Sequence, residues 1–181
     1  MFPNLRRWSA LTLTAVLLTP LVAACSSGSP RSDGPPSHTL NAAPGPFFPE
    51  CGGVSDQTVT RLTGVAGPLT TARTSVGCQW LGGGGVRGPV FAFNWFRGSP
   101  IGRERKTEEL SGASVTDIDI DGHNGFVAIR ANAAFSHYYC DVGIQYQEDF
   151  IDWSISFRKK PSRDLCDVAK ELSRQTIEAA R

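Results

Sequence analysis

Tyr138-Tyr139-Cys140-Asp141-Val142-Gly143-Ile144-Gln145-Tyr146, then Gln147-Glu148-Asp149, then Phe150-Ile151-Asp152-Trp153-Ser154-Ile155-Ser156-Phe157 is the stretch that decides the fold. Two runs rich in aromatic and β-branched residues flank a short polar break, which predicts an antiparallel hairpin. Just upstream, Val115-Thr116-Asp117-Ile118-Asp119-Ile120 alternates strictly, with Ile inward and Asp outward, as a half-buried strand requires. Gly122-His123-Asn124-Gly125 predicts a turn into a strand over Phe126–Ile129. Nearer the amino end, Cys78–Leu81 and Val90–Trp95 form a second predicted hairpin around the glycines at 82–85. Between the hairpins, Ile101–Leu110 is laced with charge and predicts a short exposed helix or lid.

Helices bracket these strands. Ser55 is placed to cap a short helix whose Val54 staples onto Val59 and which Gly64 ends. Pro161-Ser162 opens a terminal helix with Leu165, Val168, Ala169 and Leu172 on one face. Strands enclosed by helices predict an α+β domain. Its antiparallel sheet is expected to have five or six strands, with the short N-terminal helix and the C-terminal helix packed on one face.

The amino end carries a different signal. Arg6 and Arg7 precede an uncharged run over Trp8–Val22 that closes on Ala23-Ala24-Cys25. A basic start, a short apolar run and small residues at the break make a secretory signal. The run is shorter than the ~20 residues that span a bilayer, and Pro20 interrupts it. Cleavage at a plain Ala-x-Ala site would leave Cys25 a free thiol. Val22-Ala23-Ala24-Cys25, however, resembles the bacterial lipobox, and that resemblance implies a diacylglyceryl thioether on Cys25 with cleavage just before it.

Residues 1–24 are thus expected to be a lipoprotein signal peptide, residues 25–46 the lipidated Cys with its tether, and residues 47–181 a single extracytoplasmic domain. The tether, rich in Ser, Gly, Pro and Ala, cannot bury enough apolar surface to fold, and its His38 reads as solvated. As a coil it spans on the order of 25 Å.

Losing Arg6 and Arg7 brings the 18 basic residues to within one of the 17 acidic ones. Near neutrality argues against a nucleic-acid binder and against a polybasic membrane patch. With Cys25 assigned to the anchor, Cys51, Cys78, Cys140 and Cys166 remain, an even set that reads as two disulfides in an exported chain. Of three possible pairings, Cys51–Cys78 with Cys140–Cys166 is preferred, because each bond ties a helix start to a neighbouring strand. Metal ligation is the alternative, but no Cys-x-x-Cys pair is present and the three histidines are scattered.

Several residue groups imitate known chemistry. Asp117-Ile118-Asp119-Ile120-Asp121-Gly122 resembles the start of an EF-hand loop, yet Ala128 stands where the bidentate Glu belongs, and a solvated strand face is the simpler account. The glycines at 82–85 lack the Lys-Ser or Lys-Thr of a phosphate loop. Ser136, His137 and Asp141 include the residue types of a hydrolase triad, but sequence adjacency is the wrong evidence for one and no Gly-x-Ser-x-Gly elbow occurs. Trp80, Trp95 and Trp153 read as core or rim aromatics, or as the lining of a groove.

The whole pattern resembles the mycobacterial LprB-type lipoproteins. The shared features are the lipobox Cys25, the tether, Cys51 ahead of a Ser-started helix, Cys78-Gln79-Trp80 opening a strand, Cys140 in a late strand and Cys166 at the terminal helix. Glu50 departs from the Pro that often precedes the first domain Cys in that family. The resemblance implies a membrane-anchored lipoprotein and assigns its domain no activity. With no convergent acid, base and nucleophile, the expected role is a non-enzymatic binding or accessory module for a cell-envelope ligand or partner, without a cofactor or metal. The alternatives are an envelope hydrolase and a lipid or glycolipid carrier with an apolar cavity. A Cys25→Ala variant is expected to leave the membrane fraction for the soluble one; its retention in washed membranes would refute the anchor.

Overall fold

The computed structural model describes residues 47–67, 69–84, 87–132 and 137–180. The signal segment, Cys25, the tether with His38, Gly85 and Ser136 lie outside them. The chain runs through α1 (Asp56–Thr63), β1 (Thr70–Thr74), β2 (Gly77–Leu81), β3 (Val90–Phe96), α2 (Ile101–Leu110), β4 (Ser114–Ile120), β5 (His123–Asn132), β6 (His137–Tyr146), β7 (Asp149–Phe157) and α3 (Leu165–Ala179). A short 3-10 turn over Glu50–Gly53 precedes α1.

All seven strands join one antiparallel sheet in the order β1-β2-β3-β7-β6-β5-β4. Two meanders, β1 to β3 and β4 to β7, thus meet where β3 pairs with β7. The strand beyond the expected five or six is β1. Its Thr70-Thr71-Ala72-Arg73-Thr74 has no apolar period, and it is a strand because it pairs with β2 at the sheet edge. The turn into β5 is also tighter than expected: Asp121 and Gly122 make it, and His123 already pairs with Ile120.

Side-chain alternation sorts the sheet into two faces. On one lie Trp80, Phe91, Phe93, Val142, Ile144, Ile151, Trp153 and Ile155, all buried. There they meet Val59 of α1 and Val168, Ala169 and Leu172 of α3. The two terminal helices therefore share a face, while α2 lies across β4–β6 on the opposite one. Trp80 and Trp153 stack at 5.4 Å. Each buried indole N–H finds an acceptor, as its desolvation demands: Trp80 donates to Asp56 Oδ1 at 2.7 Å and Trp153 to Thr176 Oγ1 at 3.0 Å.

The helix ends follow their caps. Ser55 Oγ accepts from the Thr58 N–H at 3.2 Å, and Gly64 closes α1 in the left-handed conformation at φ 69°. The terminal helix starts later than Pro161-Ser162. Asp164 is its cap, accepting from the N–H groups of Cys166 and Asp167, and a carboxylate at this position also suits the helix dipole.

Cys51 is bonded to Cys78 and Cys140 to Cys166, across sequence separations of 27 and 26. The first ties the turn before α1 to β2, and the second ties α3 to β6. Replacing Cys140 and Cys166 together by Ala is expected to cost about 3 kcal/mol in urea unfolding, the chain-entropy value for a loop of this length. Trp153→Ala is expected to cost at least as much, about 3–5 kcal/mol.

Candidate functional site

The face beneath α2 holds a buried acidic pair among polar neighbours. Asp141 of β6 lies opposite Ser154 of β7, and Asp152 lies opposite Gly143, so the two acids are diagonal neighbours on adjacent strands. They are 2% and 6% exposed. Ser154 Oγ sits 2.9 Å from Asp141 Oδ1 and 3.3 Å from both Asp152 carboxyl oxygens, while Asn94 Nδ2 donates to Asp152 Oδ2 at 2.9 Å. Gly143 leaves room for the neighbouring ring: a Cβ there would lie 2.6 Å from Phe126.

Burial pushes both carboxyls above the usual aspartate range, and the charge of Asp152 raises Asp141 further. Ionising both would place two negative charges together out of water, so the two resist ionisation as a pair. Two glutamates of α2 add to the same field. Burial and then Asp141 raise Glu104 and Glu108 alike, against the pull of Arg103 on the first and Arg130 on the second.

Arg130 links this cluster to the surface. Its Nη2 stands 3.5 Å from Glu108 Oε2, its Nη1 donates to Ser111 Oγ at 2.6 Å, and its guanidinium lies 4.2 Å over the Tyr139 ring. Burial, followed by the charge of Asp141, pushes the Tyr139 phenol well up, so it stays protonated.

Arg130 and Tyr139 also wall a cleft of about 370 Å³ beside the Cys140–Cys166 bond, between the ends of β5 and β6 and the segment leading into α3. Tyr138, Ile129 and Lys160 also line it. Ile129 is 45% exposed, so the cleft opens on the surface. Arg163, which also lines the cleft, is held by a bond from Nη1 to the Leu62 carbonyl at 3.1 Å. The arrangement offers aromatic and aliphatic surface with the charged groups of Arg130, Lys160, Arg163 and Asp164, which suits binding, while Asp141 and Asp152 are themselves buried.

Among the described residues, those singled out from sequence do not converge. His123 stacks on Tyr146 at 4.1 Å, on the α3 side of the sheet, away from Ser154 and the two acids. His137 shares the face of Asp141 but stands four residues along β6, about 13 Å away. Asp117 pairs with Arg105 at 2.8 Å, Asp119 accepts from the Gly122 N–H, and Asp121 pairs with Arg174, so the three carboxylates have separate partners. Gly82 leads into the β2–β3 connection, where its N–H donates to the Pro89 carbonyl. Among the described residues no helix is long and apolar enough to cross a membrane. Sequence reasoning missed Asp152, Ser154, Asn94 and Glu108. The available signal was an acid within each run of the central hairpin, at positions where the neighbours are apolar.

Residues 20–179 match the family described as "Protein of unknown function (DUF3558)". The chain belongs to the DUF3558 family. The DUF3558 match spans Cys25 and all four domain cysteines. Relatives bearing the name lipoprotein LprB, a name that assigns no activity, are 57% identical over 178 residues in Mycobacterium tuberculosis (strain ATCC 25618 / H37Rv) and in Mycobacterium bovis, covering 96% of each chain. The relative of that name in Mycobacterium leprae is 56% identical over 170 residues, covering 90% of this chain and 88% of its own. No solved structure matches.

The acidic pair makes DUF3558 stability in this chain dependent on pH in a known direction. Both carboxyls titrate higher folded than unfolded, so their contribution is full below the unfolded aspartate range and is lost as pH rises through the raised folded values. Asp141→Asn keeps an acceptor for Ser154 and gives Asp152 a donor. It is expected to raise the melting temperature at pH 7 by a few degrees, the shift that about 1 kcal/mol produces in a domain of this size, with little gain near pH 4. A gain that grows toward acid would contradict the upward shift of the pair.

Proposed function

We propose that the protein is a lipoprotein anchored through Cys25 on the extracytoplasmic face of the membrane, and that its domain is a non-enzymatic module binding a cell-envelope ligand or partner. The observation that carries this reading is the separation of chemistry from access. Ser154 and its two acids are buried beneath α2, whereas the accessible cleft presents Tyr138, Tyr139, Ile129 and Lys160 together with Ser162 and Asp164, the last engaged as the cap of α3. Enzymes need an acid, base or nucleophile within reach of substrate. Binding sites need shape, apolar surface and a few oriented polar groups. The lipobox at Cys25, the disulfide frame and the name shared by the mycobacterial relatives support the anchored location.

Carriage of a whole lipid chain has less support. The space between sheet and α3 is occupied by Trp80, Phe91, Trp153 and Leu172, each fully buried.

The test is native mass spectrometry of the protein extracted from its own membrane, comparing wild type with a Tyr138→Ala/Lys160→Glu variant. Wild type is expected to carry a bound species that the variant loses while its melting temperature stays within about 2 °C. Hydrolysis of an envelope ester by the purified protein, abolished by Ser154→Ala, would overturn the non-enzymatic reading.

A further inference from the structure

We propose that the face around Phe47 and Val76 rests on the lipid surface to which the chain is anchored, an inference that builds on the Cys25 anchor proposed above. Phe47 is 65% exposed and Val76 48% exposed. Both line one apolar groove of about 250 Å³, whose other walls include Phe48, Pro49 and Trp95. Val76 occupies the turn between β1 and β2, where a polar residue would serve the backbone equally well. Phe47 packs the Trp95 ring edge-on at 5.4 Å and buries little of itself in doing so.

Three observations point to a membrane as the occupant. Phe47 is where the described domain begins, so the tether from Cys25 joins the domain at this face. The 21 residues between Cys25 and Phe47 attach that face to the proposed anchor, which raises its effective concentration at the bilayer so that a small patch suffices. Exposed aromatic and aliphatic side chains with a cation at the rim are the composition of an interfacial contact. The cation is Arg97, whose guanidinium lies 4.9 Å over the Trp95 ring. The exposed acid nearby, Glu50, stands 3.7 Å from Arg73, whose closer partner is Asp56 at 2.9 Å, so the contact rests on the apolar side chains rather than on net charge.

The experiment places a reporter at the face and another away from it. The full chain is produced in a mycobacterial host as Phe47→Trp, Val76→Trp or Leu110→Trp. Leu110 is 79% exposed at the end of α2 and serves as the control. Each protein is reconstituted into phosphatidylcholine–phosphatidylglycerol vesicles with and without brominated phospholipid. Trp80, Trp95 and Trp153 contribute the same background in all three. Quenching of the added indole is expected to be at least about twofold stronger at positions 47 and 76 than at 110. Equal quenching at all three positions would overturn the proposal, as would a reporter shielded from aqueous quencher yet untouched by bromine, the sign of a second copy or the tether on this face. Intact mass of the same preparation reports acylation of Cys25. If Cys25 is unacylated, the anchor reading fails by itself, and the chain is coupled through that thiol to a maleimide phospholipid so that the quenching comparison still decides the docking.

Discussion

The pairing of β3 with β7 is the interaction on which the rest of this domain depends. Every other strand pair in the sheet joins neighbours in sequence, whereas this one brings together two separately folded-back meanders. Phe93 lies opposite Trp153 along the seam, and Trp153 also stacks on Trp80 from β2 and donates to Thr176 on α3. One indole therefore touches the first meander, the second meander and the terminal helix. Loosening it opens three interfaces together, which is why its truncation ranks with the loss of a disulfide.

The two faces of the sheet obey different physics. Against α1 and α3 the contact is dry and aromatic, so it is non-directional and cheap to satisfy. Beneath α2 it is polar. The buried residue that α2 itself contributes is Glu108, and the helix is held by Arg105 to Asp117, Arg130 to Glu108 and the Ile101 N–H to Gln145. A helix retained by such contacts, over acids that cost stability when ionised, belongs to the low-stability end of the molecule. The stable half of the structure is the disulfide-tied layer behind it.

Much of the fold was legible because burial and alternation coincide. Phe91, Phe93 and Trp95 announce β3, and Ile118 and Ile120 announce β4, because each inward position is apolar. The Cys51–Cys78 and Cys140–Cys166 connections follow from helix starts lying beside strands. Edge strand β1 was not legible: with one neighbour and no buried stripe, its identity resides in β2 rather than in its own residues. The terminal helix began late because Asp164 outcompetes Pro161-Ser162 for the orphan N–H groups. The acidic pair stayed hidden because a buried carboxylate is defined by its partners, and Asn94 comes from a strand far away in sequence. The cleft was hidden for the same reason, assembled from β5, β6 and the segment before α3.

The order of the disulfides bears on how such a chain comes to be oxidised. Each bond closes within its own half of the sequence, and neither crosses the β3–β7 seam. When a chain is threaded outward amino end first, Cys78 emerges while Cys140 is still on the inner side, so Cys51 can meet Cys78 before Cys140 or Cys166 is there to compete. Consecutive connectivity thus lets vectorial delivery choose the partners, and leaves an isomerase little to correct.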